Sequence, residues 1–477
     1  MSQFITVQVG QCGNQIGAAF WPLALHEYGI QTSCGGVNLL KTQRDHIKNF
    51  KDVLDAFDSF FYVPNGRNNV SFNTIGDLNE AKVKARAILV DMEDSVISRF
   101  KQGPMRGLFD QTCFVANYPG SGNNWAIGHY THGREYRNHL RNAIRLSAEK
   151  CDQLHGFIIV HSLGGGTGSG LGTATLKLLN DDYPLVDRFV SCVYPAGSSD
   201  VVTAPYNVLL STHELVEHAT CVFPAENKAL MEICSAQMEK KENADQAKYN
   251  AICKPYHDIN SVIVNMLLHL TSGSRFSGNL NVDMNELVTN LVAYPQLHYI
   301  FSSVSPVTLT APTRSMVQGS KMFDELFTNA WARNNQLIKV DPLRKGSVIL
   351  GAAHIARGNP SLTDIRRNIL RFQSKADFTP WSKDIMKVGL CSVPPSGHTA
   401  SLICLLNSSA MSSVFKNIVH EFNRLYQKKA HTHHYIQIEG FEEGHFEESR
   451  ECITSLAQQY TEVQNQKPMN ISRLQLI

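Results

Sequence analysis

The sequence predicts an α/β protein built on a doubly wound parallel sheet, followed by a core helix, a second α+β domain and a C-terminal helical hairpin. Three observations support this prediction. Strand-like and helix-like segments alternate through about residue 225, which is typical of a parallel sheet with helices on both faces. Residues 256–271 are strongly apolar at helical spacing, as in a helix packed on both sides. Residues 409–460 again show helical spacing. We expect domains at 1–226, 227–408 and 409–477.

The composition is that of an ordinary globular protein. Of 477 residues, 43% are hydrophobic and 18% are charged, and the formal net charge is only +2. A charge this small argues against nucleic acid or a membrane surface as an electrostatic partner, and we expect neither. The longest uncharged run, residues 287–313, contains three prolines and does not suit a membrane span. The N-terminus lacks a signal-peptide pattern and the eleven cysteines form no Cys-x-x-Cys pair, so we expect reduced thiols in the cytoplasm.

The most informative stretch is a strand, a glycine loop and a helix in direct succession. Residues 157–160 are apolar, the loop at 164–170 reads Gly-Gly-Gly-Thr-Gly-Ser-Gly, and residues 171–180 have helical spacing. Glycines let the backbone approach an anion with its N–H groups, the helix start adds more N–H groups, and Thr167 and Ser169 add hydroxyl donors. The loop lacks the lysine of a P-loop. It predicts a phosphate site, the alternative being a flexible linker.

A second glycine-containing junction, residues 10–17, follows the first predicted strand. Its Gln11, Asn14 and Gln15 carry amides that can donate hydrogen bonds. The C-terminal ends of parallel strands lie along one edge of the sheet, so both junctions can face the same ligand. Pro22 should bend the helix that follows.

A third buried strand, residues 87–91, is followed by a possible metal site. Asp91 and Glu93 are spaced so that an extended chain places both on one side. A carboxylate at a strand end beside a phosphate site is a candidate Mg²⁺ ligand, usually through water; the alternative is a solvated strand end. Further strands are predicted at 113–115, 188–194, 348–355 and 387–393.

Six motifs together resemble the tubulin family, over nearly the whole chain. They are residues 10–17, 87–91, 122–126, 164–170, 205–207 and 276–281. Residues 121–126, 390–398 and 425–435 are similar to the epsilon-tubulin subfamily, with delta-tubulin as the competing assignment. We expect no acidic tail of the kind that microtubule-wall tubulins carry, since only Glu462 is acidic after Tyr460.

The resemblance implies that the chain binds GTP or GDP together with Mg²⁺. The implied nucleotide contacts are Gln11, Cys12, Gln15, Asn123, Ser162, Gly165, Gly166, Thr167, Gly168 and Asp200, and the implied metal contacts are Glu93 and Asp91. Asn227 and Asn260 match the positions that read the guanine edge, which suits amides because each offers a donor and an acceptor. Tyr256 would stack on the base. The family pattern is broken at Ala204, Lys228 and His257, which predicts a changed affinity or exchange rate.

The resemblance also implies that GTP hydrolysis, if it occurs, requires a second subunit. Residues 276–286 match the loop by which one tubulin subunit reaches the nucleotide of the next, and Glu286 matches the catalytic carboxylate of the alpha-type loop. We expect Glu286 to act in trans, orienting the water that attacks a neighbour's GTP. The alternative is a solvated helix residue in a chain that rarely polymerises.

Three classes of function are compatible with these motifs. The first is a structural GTP-binding tubulin of the cytoplasmic cytoskeleton, contacting other tubulins head to tail and working with centriole or basal-body proteins at a microtubule organising centre. The second is a GTP-dependent regulatory binder that builds no filament. The third, a dinucleotide oxidoreductase, is disfavoured because no Gly-x-Gly-x-x-Gly is present. We interpret His431, His433 and His434 as structural or surface residues, since no cysteine pair accompanies them.

Overall fold

The computed structural model describes residues 2–30, 56–64, 72–197, 201–239, 256–276, 280–307, 320–358 and 360–465. The polar stretch at 31–79, the charged insert after residue 238 and the chain end after residue 460 lie partly outside these ranges. Among the helices that are described, none combines the length and hydropathy that a membrane crossing needs.

The strands and longer helices are numbered here in chain order. The strands are β1 (Gln3–Val9), β2 (Phe61–Tyr62), β3 (Lys84–Ala85), β4 (Ala87–Asp91), β5 (Phe114–Ala116), β6 (Leu154–Ser162), β7 (Asp187–Tyr194), β8 (Cys221–Glu226), β9 (Phe301–Ser305), β10 (Val348–Arg357), β11 (Asp377–Phe378), β12 (Lys387–Cys391) and β13 (Ser401–Ser408). The helices are α1 (Gly10–Glu27), α2 (Ile75–Glu80), α3 (Asp94–Gln102), α4 (Arg137–Ala148), α5 (Gly172–Asp182), α6 (Ala204–His218), α7 (Asn227–Glu239), α8 (His257–Leu270), α9 (Met284–Leu291), α10 (Ser320–Trp331), α11 (Leu362–Gln373), α12 (Ser412–Tyr426) and α13 (Gly444–Glu462).

The first half of the chain forms a six-stranded sheet in the order β5-β4-β1-β6-β7-β8. All neighbouring strands in it are parallel. The predicted α/β class with a parallel sheet is therefore confirmed. The order grows outward from β1 in both directions, so the direction of winding reverses between β1 and β6.

Both faces of this sheet are buried, which explains why its strands are apolar along their whole length. Alternate residues of a strand point to opposite faces. Ile5 and Val7 of β1 belong to one core with the inner sides of α5 and α6, whereas Phe4 belongs to a second core with α1 and α8. Helix α8 is buried along most of its length, so the predicted core helix is confirmed.

The second sheet is mixed and follows the core helix. Its order is β11-β10-β13-β9, with β12 also paired to β10. β10 is parallel to β11 and β12 but antiparallel to β13, as expected for an α+β unit. A bridge between Val222 and Tyr299 joins the two sheets. The C-terminal helices α12 and α13 pack on each other and on α6, forming the predicted helical hairpin.

Two local features differ from the sequence prediction. Helix α1 begins at Gly10, directly after β1, so the predicted glycine junction is already helical; as expected, the helix is not lost at Pro22 and ends at Glu27. The predicted loop at 164–170 does not run straight into a helix, because a π-helical turn, Thr167–Leu171, precedes α5. The non-helical part of the loop at 164–170 is therefore shorter than the sequence pattern suggested.

Candidate nucleotide-binding site

The two glycine junctions meet where the winding of the sheet reverses. Gly10 follows β1 and has a φ of +74°, which a residue with a side chain rarely adopts. A Cβ on Gly10 would lie 2.9 Å from the amide nitrogen of Gly168. The two backbones thus touch between β1 and β6, which is the crevice where ligands bind in open α/β sheets.

The loop after β5 packs against the glycine loop and contributes Asn123 to the same edge. A Cβ on Gly166 would lie 2.6 Å from the amide nitrogen of Asn124. The hydroxyl oxygens of Ser121 and Thr167 are 2.9 Å apart. Such close packing excludes the flexible-linker alternative. The Asn123 side chain is exposed beside these contacts.

The π-helical turn gives the glycine loop backbone donors that suit an anion. As at any helix start, its first N–H groups have no partner within the helix. Ser162 ends β6 directly below, where its carbonyl oxygen would lie 2.9 Å from a Cβ on Gly168. The hydroxyl of Ser169 donates to the carbonyl oxygen of Gly165, so this predicted ligand donor was wrong. Backbone N–H groups and Thr167 remain for a phosphate.

The first turn of α1 supplies the other side of the crevice. Gln11 is exposed and Cys12 and Gln15 are half-buried there, and no described side chain caps this turn. Its unpaired N–H groups and the positive end of the helix dipole favour an anion. Burial raises the pKa of the Cys12 thiol to about 12, so it stays neutral. Asn14 is instead buried, donating to the carbonyl oxygens of Gly10 and of β4 at 3.0 Å each.

Asn207 ties these loops together, and the sequence did not single it out as a site residue. Its Nδ2 donates to the carbonyl oxygens of Asn123 and Gly164, both at 2.9 Å. Its Oδ1 accepts from the N–H of Trp125 at 3.0 Å and from the hydroxyl of Tyr435 at 2.6 Å. One fully buried amide therefore fixes both loops and the C-terminal helical unit relative to one another. Its only signal in the sequence was membership of the motif at 205–207.

The two carboxylates at the end of β4 differ in exposure. Asp91 is 2% exposed, and its Oδ2 has no hydrogen-bond partner among the described residues. Burial, with a further contribution from the charge of Glu93, raises the pKa of Asp91 to about 7. Glu93 is exposed, with Oε1 3.0 Å from the place of a Cβ on Gly120. A buried carboxylate oxygen without a partner fits a nearby cation, which would offset the cost of its charge.

The residues expected to contact the guanine base lie along the same edge of the sheet, beside β8. Asn227 begins α7 directly after β8 and is half-buried. Tyr256, with φ +65° and 51% exposure, precedes α8, where Asn260 is buried. Helices α7 and α8 pack together. Three strand spacings of about 4.8 Å separate β1 from β8, or ~14 Å, which leaves room for a ribose between phosphate and base. Asp200 lies outside the described residues.

Glu286 lies at the opposite edge of the sheet from all of these residues. The hydroxyl of Ser2, just before β1, donates to Asp283 at 3.1 Å, and Asn285 donates to the carbonyl oxygen of His155 at 3.4 Å. Helix α9 therefore covers the N-terminal ends of β1 and β6. The carboxylate of Glu286 is about half-exposed. Residues 277–279 of the loop before it lie outside the described residues.

Comparisons with known proteins agree with this architecture. The family model described as Tubulin/FtsZ family, GTPase domain matches residues 3–235, and the Tubulin C-terminal domain matches residues 295–420. The human tubulin epsilon chain is 41% identical, over 99% of this chain and 98% of its own length. The mouse epsilon chain is 40% identical over the same shares. A tubulin beta chain of Pyropia yezoensis is 34% identical, over 96% of this chain and 93% of its own. The chain is therefore a member of the tubulin family of GTP-binding cytoskeletal proteins.

Proposed function

We propose that the chain is an epsilon-type tubulin that binds GTP with Mg²⁺, contacts other tubulins head to tail, and acts at centrioles or basal bodies. The observation that supports this most is the placement of two half-sites at opposite edges of one sheet. The nucleotide loops follow the C-terminal ends of the strands, and Glu286 lies by their N-terminal ends. A head-to-tail contact brings unlike edges together and can repeat along a line.

The length of the strands separates the two half-sites. β6 has nine residues, or about 30 Å at the rise of an extended chain. No side chain spans that distance, so Glu286 cannot reach the nucleotide of its own chain. If Glu286 takes part in hydrolysis, it does so on a second molecule.

Exposed apolar side chains around Glu286 support an interface on that edge. Leu280, Tyr294, Trp381 and Ile385 are between 37% and 60% exposed. The rings of Tyr294 and Trp381 lie 6.2 Å apart, and the carbonyl oxygen of Leu280 accepts from β12. Aromatic and large aliphatic groups gathered at a protein edge are typical of contact surfaces.

The chain's own groups suggest how hydrolysis would proceed. The backbone N–H groups at the start of α1 and in the glycine loop would hold the β- and γ-phosphates and stabilise their charge. Mg²⁺ held near Asp91 and Glu93 would neutralise charge on the phosphate oxygens. Glu286 of a neighbour would accept a hydrogen bond from a water. That water attacks the γ-phosphorus, the bond to the β–γ bridging oxygen breaks, and GDP and phosphate form.

A regulatory GTP-binding role without filaments is the second candidate. The observation that favours it is an ion pair between Glu286 and Lys387 of the same chain, at 2.8 Å. The carboxylate thus has a partner before any neighbour arrives. In that case the nucleotide state would control a binding partner and no turnover would accompany assembly.

Nucleotide release and assembly separate these possibilities. Heating the purified full-length chain should release GTP or GDP, whereas a released dinucleotide would refute the assignment. Electron microscopy with GTP, alone and with alpha/beta-tubulin, should show longitudinal contacts. Glu286→Gln should slow turnover in such assemblies, and the exposed Glu451→Gln on α13 is the matched control. Assembly with unchanged turnover in Glu286→Gln would favour the regulatory role. A tagged chain should locate to centrioles in centriole-bearing cells.

A further inference from the structure

Lys387 is the ion-pair partner of Glu286 and belongs to a different element. It is the first residue of β12, and its Nζ lies 2.8 Å from Oε2 of Glu286. The N–H of Leu390, in the same strand, donates to the carbonyl oxygen of Leu280 at 2.8 Å. β12 therefore holds both the segment that leads to Glu286 and the charge that faces it.

The pair contributes little to the stability of a free subunit. The Glu286 and Lys387 side chains are 51% and 32% exposed, and pairs in such surroundings are screened by water and salt. At an interface the same pair would lose water and its attraction would strengthen. Its geometry thus matters more in an assembly than in the isolated chain.

A carboxylate brought up to a nucleoside triphosphate faces strong repulsion between like charges. A lysine beside it makes the approaching pair neutral as a whole. With its Nζ donating to Oε2, Lys387 also restricts the rotamers of Glu286 and leaves Oε1 to accept from a water. Orientation of this kind is a large part of what a positioned catalytic group contributes.

We propose that Lys387 is a positioning residue for Glu286, neutralising and orienting its carboxylate as it approaches the GTP of a neighbouring subunit. This inference rests on the proposed function, in which Glu286 acts in trans. The partner is another tubulin-fold subunit that presents its nucleotide edge. Lys387 does not itself touch the reacting atoms.

The test is a single-turnover measurement in preformed assemblies of the full-length chain with GTP labelled at the γ-phosphate. Lys387→Met should lower the rate constant per bound GTP by about 10- to 100-fold, the loss expected when a reacting group is misplaced. Its melting temperature should stay close to that of the parent, and each variant is measured above its own critical concentration so that only the rate per bound GTP is compared. Lys387→Arg should recover most of the rate, and the nearby exposed Lys383→Met should leave it unchanged.

The outcomes separate this inference from the proposal beneath it. If Glu286→Gln stops turnover but Lys387→Met does not slow it, the role of Lys387 is refuted and the in-trans role of Glu286 stands. If Glu286→Gln has no effect, or if no assembly forms, both fall. The double variant should be no slower than Glu286→Gln alone; additive losses would mean that Lys387 acts on the phosphates directly, which contradicts a positioning role.

Discussion

Removing the Asn207 side chain should weaken nucleotide binding although Asn207 is fully buried. In Asn207→Ala the carbonyl oxygens of Asn123 and Gly164 lose their donor, and the Trp125 N–H and Tyr435 hydroxyl lose their acceptor. Four buried groups left unpaired at ~1–3 kcal/mol each would cost roughly 4–12 kcal/mol, and relaxation with entry of water recovers most of this. We expect about 2–4 kcal/mol in all, divided between stability and the order of the two phosphate-facing loops.

The part of that free-energy loss that falls on GTP binding can be measured directly. If 1.4–2.8 kcal/mol of it falls on binding, GTP affinity drops about 10- to 100-fold. Titration with a fluorescent GTP analogue, alongside a melting curve, measures both shares. Asn207→Asp keeps the two acceptor roles but loses both donors, so it should weaken binding at least as much. The control is Asn142→Ala, an exposed amide bonded only to Arg145 in the described structure. A variant that melts earlier yet binds GTP with unchanged affinity would refute the role of Asn207 in ordering the two loops.

Three further predictions concern stability, pH and the glycine loop. Glu27 pairs with Arg275 and Arg357, each at 2.7 Å and all buried, so Glu27→Gln leaves two buried cations without a counter-charge. We expect a loss of ~3–5 kcal/mol in the free energy of unfolding, measured as a lower melting temperature at saturating GTP. The control Glu149→Gln, in an exposed ion pair, should change the melting temperature very little. The pKa of Asp91 is raised to about 7, so without Mg²⁺ the free energy of unfolding should fall as pH rises from about 4 to about 7 and then level off. The variant Asp91→Asn should lose this contribution to the pH dependence. An unchanged slope in the variant would contradict the raised pKa of Asp91. Gly168→Ala puts a Cβ 2.9 Å from the carbonyl oxygen of Ser162 and should weaken GTP binding at least tenfold; Gly444→Ala, whose Cβ meets open space, should not.

Local patterns were enough to predict that the two glycine junctions lie together at one edge of the sheet. Glycine junctions after buried strands are determined by neighbouring residues, and the edge at which they meet follows from parallel pairing alone. The same reasoning found the carboxylates after β4. The relation between Asp91 and Glu93 needed the structure, because sequence spacing does not show which of the two is buried.

The sequence missed β8, and the reason is physical. It contains Pro224, which argues against a central strand. β8 lies at the end of the strand order, where a missing N–H can be tolerated. The strand matters for the site because Asn227 follows it directly.

Contacts between distant residues could not be predicted from local patterns. Asn207 holds the two loops because four partners from three segments converge on it. The Glu27, Arg275 and Arg357 cluster joins positions up to 330 residues apart. The pairing of Glu286 with Lys387 is of the same kind, since it depends on how α9 and β12 pack.

The position of Glu286 bears on the role that we propose for the glycine loop. The loop and the carboxylate lie at opposite edges of one sheet, about 30 Å apart along β6. Neither edge alone can hydrolyse GTP by the route proposed. We propose that the nucleotide edge of one molecule and the Glu286 edge of another form one active site.

Mixing two variants tests that claim most directly. Glu286→Gln should bind GTP but lack the carboxylate, and Gly168→Ala should keep the carboxylate but bind GTP poorly. Each variant alone should hydrolyse GTP slowly in assemblies. We expect co-assemblies of the two to recover turnover, because the intact Glu286 of one subunit meets the bound GTP of the other. Co-assemblies that form but hydrolyse GTP no faster than either variant alone would contradict it.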